Sequence, residues 1–319
     1  MFLWAVWLVG LSSLQFGFAR TNGNPKLALA ERLNRQGLYR FALDSLNDLI
    51  EKGFADPDVY AFRGSVLAVR GEYSNAIDDF ESGLESTRLN RRDGESLAFV
   101  QFVLGDCTAT ETLSTLRRFG AMPKAASVRL LSTEIEMHRY CGDYFTAHTT
   151  QIVMETTFPR AVKTHLAAAD LALDVGDVEQ AWRSLFNAQI YYQYIGRLDV
   201  LARIALVEGR YEDAFQTLQY IKAQRVPDRS MILKGLATLM AGDPSVWLYK
   251  LSQPRWVDNE NPHLMYLRLW ALKDLGFHKE YQEELEWFQL FCDSKCTQHV
   301  KRNLTMELQS TLPFQLGEN

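Results

Sequence analysis

Near the C-terminus the stretch FCDSKCTQH places Cys292, Cys296 and His299 four and three residues apart, close enough for two different chemistries. Sulfur and imidazole ligands of this kind suit zinc, which takes them in fours, but no fourth ligand stands at a recognisable spacing. A disulfide between Cys292 and Cys296 is the other reading, and it would pin the last helix. Cys107 and Cys141 fall in neighbouring units of the chain and either pair or stay buried as free thiols. Four cysteines in 319 residues fit an oxidising compartment without requiring one. The sequon Asn303-Leu304-Thr305 is a single match of a kind expected by chance.

Other reactive chemistry finds no support. The chain contains no G-x-S-x-G elbow, no H-E-x-x-H, no phosphate-cradling glycine loop and no dinucleotide fingerprint. The six histidines are dispersed, and His138 and His165 fall on helix positions where a structural role is the simpler reading. Asp78 and Asp79 read as carboxylates on a solvated helix face, not as an acid/base pair. The expectation is a protein that is not an enzyme and that uses no cofactor and no metal. A net charge of −5, from 34 Lys+Arg against 39 Asp+Glu, gives no basic field for nucleic acid.

With no chemistry to position, the weight falls on the scaffold, and it is periodic. Gly37, Gly71, Gly105, Gly142, Gly176, Gly209, Gly242 and Gly276 follow one another at steps of 34, 34, 37, 34, 33, 33 and 34 residues. Each follows a run with helical apolar spacing and precedes a second one, so each unit reads as helix, tight turn, helix. Glycine belongs at that turn because a left-handed backbone is costly for residues with a Cβ. Two residues after the glycine stands a ring in Tyr39, Tyr73, Tyr144 and Tyr211, placed to pack across the turn. Three further on stand Ala42, Ala76, Ala147, Ala181 and Ala214, where small size lets two helix axes approach. Thr110, Trp247 and Tyr281 take that place in the third, seventh and eighth units. Pro57, Pro123, Pro159, Pro227 and Pro262 share one phase, the handover between helix pairs, and FGAMPKAA reads as a longer loop there.

These residues resemble the tetratricopeptide repeat (TPR) family. The best unit is the second, with Pro57, Tyr60, Gly64, Leu67, Gly71, Tyr73, Ala76 and Phe80 in the family's order, and the likeness covers residues 23 to 295. The resemblance implies an all-α, elongated right-handed superhelical solenoid of about eight TPR-like hairpins, closed by a C-terminal capping helix. It also implies that first helices line an inner groove that binds protein partners or peptide segments. The family's lysine/asparagine clamp for a terminal carboxylate is absent, since Leu27 and Glu31 stand in its place.

Carrying the register over, inward positions include Arg129, Arg139, Tyr140, Arg203, Leu239, Tyr266 and Trp270, the candidate partner-binding groove. The first four are polar or amphipathic. The last three are apolar, and at helical spacing they suit either core packing or a ligand groove with aromatic anchors. The run YYQYIG, from Tyr191 to Gly196, likewise suits packing or a docking patch. In the tail, Lys301, Arg302 and Glu307 are expected to supply a polar outer cover.

Residues 1–19 carry no charge, and Gly17 and Ala19 precede Arg20 at signal-peptidase spacing. A cleaved export signal, a membrane anchor and a buried first helix all fit, the first two placing the body outside the cytosol. The expected division is therefore 1–19 signal or anchor, 20–296 repeat solenoid, and 297–319 capping helix and loose tail. The expected location is extracytoplasmic, in a periplasmic or secreted assembly, with membrane contact only through the N-terminal segment.

Overall fold

The computed structural model describes residues 27–84, 91–118, 124–188, 195–221, 228–253, 259–310 and 312–313. Residues 1–19, Pro123, Pro227, the loop residues 119–123 and the aromatic run 191–194 lie outside the described residues. The described residues form helices and no strand. In chain order the hairpins are α1 (Ala28–Arg35) with α2 (Tyr39–Glu51), α3 (Pro57–Arg70) with α4 (Tyr73–Leu84), α5 (Arg91–Val103) with α6 (Ala109–Arg118), and α7 (Lys124–Tyr140) with α8 (Tyr144–Thr157). They continue with α9 (Val162–Asp174) and α10 (Val178–Asn187), α11 (Ile195–Val207) and α12 (Tyr211–Gln219), α13 (Asp228–Met240) and α14 (Pro244–Leu251), and α15 (Pro262–Asp274) and α16 (His278–Phe291). A final helix, α17 (Ser294–Leu308), stands alone. Each first helix packs on its own second helix, and α3 packs on α5, α7 on α9, α9 on α11, α11 on α13 and α13 on α15, which is the stacking the repeat resemblance implies.

Local rules account for each hairpin. All eight repeat glycines adopt φ between 72° and 86°. At Gly71 the turn returns amides to the helix end: Gly71 N–H reaches the Ala68 carbonyl at 3.2 Å and Glu72 N–H the Leu67 carbonyl at 3.1 Å. Where an aspartate directly follows the glycine, its side chain starts the second helix. Asp143 accepts from the Thr146 amide at 3.0 Å and Asp177 from the Gln180 amide at 2.8 Å, each satisfying a donor that the helix leaves orphaned. Pro57 and Pro262 open their helices, as does Pro244, a second-helix start outside the handover phase.

The alanine position is the hinge of the packing. Ala42, Ala76, Ala147, Ala181 and Ala214 are all fully buried. In the third hairpin the buried small residue is Ala109 rather than Thr110, and α6 begins two residues later in its turn than its counterparts do. Trp247 is fully buried where alanine is expected, and the hairpin accommodates it by an exchange of volume. Gly235 on the facing helix takes the space: a Cβ there would lie 2.7 Å from Trp247 Cζ2. Asp79, expected on a solvated face, is buried and receives two bonds of 2.7 Å from Arg63 of α3, while Asp78 is exposed.

The coil does not stay open. Gly71, in the second hairpin, accepts from the Glu260 amide at 3.0 Å just ahead of α15, and Asn259 packs so close that a Cβ at 71 would sit 2.6 Å from its amide. Tyr73 donates to Asp228 at 2.9 Å, and Asn261 reaches the same carboxylate at 3.1 Å. The two ends of the stack therefore meet, and the extended shape expected from the repeats gives way to a closed one. The last helix occupies the interior: α17 packs on α7, α11, α13 and α15, all first helices. Its first turn lies against the third hairpin's turn, with Cys296 Cα 3.3 Å from where a Gly105 Cβ would stand. Two disulfides brace this arrangement, Cys107–Cys141 joining consecutive turns and Cys292–Cys296 bridging the reversal into α17. A bridged sulfur offers no thiolate, so the zinc reading of Cys292, Cys296 and His299 is withdrawn.

The Gly235–Trp247 exchange makes a test. In an ordinary helix interior Gly→Ala stabilises by up to about 1 kcal/mol. Here Gly235→Ala drives a methyl into the indole and is expected to destabilise by about 1–3 kcal/mol in urea denaturation. The double change with Trp247→Ala relieves that clash, so the Gly235→Ala penalty shrinks or reverses in its presence. A stabilised single variant would contradict the packing.

Candidate functional site

The inner surface is organised around a buried charge cluster drawn from five helices. Arg139 of α7 binds Asp174 of α9 through Nε at 2.5 Å and a terminal nitrogen at 2.7 Å. Arg203 of α11 reaches Asp174 at 2.5 Å, Asp170 at 3.1 Å and the Asp170 carbonyl at 2.9 Å. Arg229 of α13 holds both Asp170 oxygens, at 2.8 and 2.7 Å. Into this group α17 inserts Glu307: one oxygen lies 2.6 Å from Arg203 Nε, the other accepts from the Tyr140 hydroxyl and lies 3.6 Å from Arg229 Nε. Arg203 also donates to the Met306 carbonyl at 3.2 Å.

Three guanidiniums face three carboxylates, which is how ions survive in so dry a place. Burial alone would raise the Asp170 carboxyl, but Arg229, Arg139 and Arg203 overcome it and hold the group far below the usual carboxylate range. Burial lowers Arg139 and the facing Asp174 and Asp170 more than restore it. Burial and the neighbouring Glu307 raise the Tyr140 hydroxyl well above its ordinary value, which keeps it a donor. Removing one member of such a cluster leaves an uncompensated buried charge, at about 3–5 kcal/mol.

One turn earlier α17 carries a second polar seat. Asn303 is buried with its amide nitrogen 2.9 Å from His299 Nε2 and 3.2 Å from His263 Nε2 of α15. Phe102 of α5 stands edge-on to the His299 ring at 5.9 Å. Burial pushes His263 down to about 3, with His299 adding to the shift, and burial together with Arg302 pushes His299 down to about 4. Both rings are neutral at pH 7. Asp199 of α11 moves the other way, up to about 7 by burial, while its carboxylate accepts from Ser230 at 2.7 Å.

Beyond α17, toward the N-terminal half, a cavity of about 1150 Å³ remains. Its walls are mostly first helices, with Phe99 and Phe102 of α5, Arg129 and Glu136 of α7, and Lys163 and Leu166 of α9, joined by Phe41 of α2, Ile232 of α13 and Trp287 of α16. Asn303, Leu304 and Glu307 of α17 form its floor. Arg129 is bound to Glu95 at 3.0 and 2.7 Å. Lys163 faces the space with no salt-bridge partner among the described residues, and burial lowers its ammonium while Glu136 opposes the shift. The arrangement offers binding surface of mixed charge beside aromatic rings. Among the described residues no group of three or more metal-ligating side chains comes together.

Of the residues singled out from the sequence, Arg129, Arg139 and Tyr140 line this cavity. Arg203 does not; it is fully buried inside the charge cluster. Leu239, Tyr266 and Trp270 are 4%, 0% and 4% exposed and pack with Val300, Leu304 and Leu308 of α17 in one core. For these three the packing alternative is the one the structure takes, because α17 covers the face they share. Glu307, expected on an outer cover, lies inside for the same reason, and the sequon residue Asn303 is buried beside the histidines. Glu136, Asp170 and Arg203 occupy the same place in successive units, six residues before Gly142, Gly176 and Gly209. That recurrence of a charged residue at one phase of the repeat was the available signal for the cluster. Nothing in the spacing announced Glu307.

No family model matches the chain, and no curated protein matches it. Among solved structures the chain is similar to the P58(IPK) TPR domain, at 17% identity over 88% of this chain and 87% of that one, with a TM-score of 0.29. It is also similar to a chain in the structure of Naa15/Naa10 bound to HypK-THB, at 13% identity over 88% of this chain and 44% of that one, with a TM-score of 0.37.

The histidine pair predicts a pH dependence. Each ring titrates near 6.5 when unfolded, so below that pH the unfolded chain takes up protons that the native rings refuse until about 4 for His299 and 3 for His263. Their stabilisation is present above pH 6.5 and is lost as pH falls through that window, by about 2 kcal/mol per ring at pH 5. Asp199 acts oppositely, since its native form keeps a proton that the unfolded chain releases, and its contribution is lost as pH rises toward about 7. The measurement is therefore a difference. Between pH 7 and 5, urea unfolding of the wild type should lose about 2–4 kcal/mol more than that of the His263→Gln/His299→Gln variant. Parallel profiles would mean that the rings titrate normally.

Proposed function

We propose that this protein is an exported interaction scaffold that holds a protein partner along the inner face of its N-terminal hairpins. The observation that carries the reading is the cavity of about 1150 Å³ walled mostly by the first helices of successive repeats. Its size, and a lining of aromatic rings beside charged groups, suit an extended peptide segment or a loop better than a small metabolite. Arg129 and Tyr140 are the contact residues this reading selects, with Arg139 setting the position of its neighbours through Asp174. Lys163, facing the space with no salt-bridge partner among the described residues, adds a site for a carboxylate on the partner. The mechanism is binding, and no reaction step is assigned.

Export is supported by the uncharged first nineteen residues and by the pairing of all four cysteines in the chain. A membrane-anchored form of the same scaffold follows if the N-terminal segment is retained. Among the described residues no helix is long and apolar enough to cross a membrane. In either form the repeats work outside the cytosol, where the disulfides persist.

Two measurements test this. A photo-crosslinking residue at position 163 is expected to form an adduct with one reproducible partner, one at the exposed Phe186 of α10 is expected to form none, and Arg129→Glu should reduce the first adduct at least fivefold. Equal labelling from the inner and outer positions would sink the groove assignment. Mass spectrometry of the mature chain is expected to find Arg20 at its N-terminus. A retained Met1 would leave the anchored form.

A further inference from the structure

The last helix, α17, fills only part of the inner surface, and the cavity beside it is lined from both halves of the coil. Along α7, α11, α13 and α15 the last helix lies where a partner of an open repeat coil would lie. Like the junctions between neighbouring hairpins, its contact combines an apolar cluster with buried polar bonds. The seat of α17 includes a buried carboxylate, a buried amide between two neutral imidazoles, and a carbonyl that accepts from a buried arginine.

The seat also has a charge requirement of its own. With α17 withdrawn, Arg139, Arg203 and Arg229 face Asp170 and Asp174, three charges against two, with Glu136 at the exposed edge 3.9 Å from Arg229. Arg203 would keep its two aspartates but present its Nε edge to the groove without a carboxylate. A desolvated guanidinium in that state favours an acid from whatever helix enters. The apolar side of the seat is equally specific, since Leu239, Tyr266 and Trp270 meet Val300, Leu304 and Leu308, residues four apart on one helical face. Beside α17 the cavity continues, with Asn303, Leu304 and Glu307, themselves buried, at its floor.

We infer that the surface formed by α7, α11, α13 and α15 is a helix-docking site which α17 fills in cis, and that a protein partner enters it in place of α17 as an amphipathic helix presenting a carboxylate to Arg203 and Arg229. This rests on the scaffold reading above and adds the partner's chemistry to it. The partner's helix carries apolar residues at four-residue spacing and an acid three residues after the second of them, as Val300, Leu304 and Glu307 do. Buried ionic and amide contacts fix the register of such a helix while making the seat dependent on one side chain.

The test uses the full oxidised chain and a fluorescent peptide of residues 294–309 with Cys296→Ser. In the wild type, hydrogen exchange is expected to show α17 protected and the peptide unbound. Glu307→Lys should speed exchange over 297–308 at least tenfold, leave α2 to α4 unchanged, and confer saturable peptide binding. A peptide that also carries Glu307→Gln should bind at least tenfold more weakly, the loss of one charged hydrogen bond. Cys292→Ser/Cys296→Ser, which loosens the reversal and leaves the seat intact, is the second variant and should bind the peptide more tightly than wild type does. Released α17 without peptide binding in both variants would overturn the docking site. So would exchange that rises throughout the coil together with α17, because α17 would then be core. Partner crosslinking through position 163 is independent of these outcomes, so the scaffold reading and this one fail separately.

Discussion

The contact on which the closed form depends is that between Glu307 and the arginines of α11 and α13. A stack of helix hairpins has no intrinsic reason to end as a closed body, because each unit contacts only its neighbours. Here a carboxylate from the far end of the chain neutralises guanidiniums from the sixth and seventh hairpins and is bonded by a tyrosine of the fourth. Charges this deeply buried tolerate no vacancy, so one ion group ties the C-terminal helix to four separate first helices.

Several features that look unrelated follow from that closure. The turns of the second, third and fourth hairpins approach the C-terminal segment closely: Asn259 lies over Gly71, His299 and Cys296 over Gly105, and Arg302 over Gly142. The turn glycines at 176, 209, 242 and 276 have open space where a Cβ would be. Tyr73 is buried and hydrogen-bonded across the closure, whereas Tyr144, at the same repeat position, is 43% exposed. The Cys107–Cys141 bridge, spanning 34 residues, links two of the turns on which α17 rests. Closing a loop of that length is worth about 4 kcal/mol in the chain-entropy picture.

The repeat itself was legible from residue types alone. Glycines in the left-handed region, aspartates that cap the following helix and alanines at the helix crossing are local requirements, set within a few residues of where they act. Even the exceptions obey them once the opposite helix is known, as the exchange between Trp247 and Gly235 illustrates. The inward register was legible in part. Arg129, Arg139 and Tyr140 face inward by register and do line the cavity. Leu239, Tyr266 and Trp270 face inward too, but facing inward is not the same as facing solvent when another helix fills the space.

Period and turn chemistry thus settle, from the order of residues alone, that this chain is a run of helix hairpins with a definite inner side. Both are short-range, and the information for them lies within each unit. Whether the inner side is open, which acid neutralises Arg203 and where the last helix goes were decided only by packing in three dimensions. Glu307 lies 104 residues from Arg203 and 167 from Tyr140, and no spacing rule spans such distances. Their pairing depends on the accumulated curvature of eight hairpins, a sum of small angles that no single unit encodes.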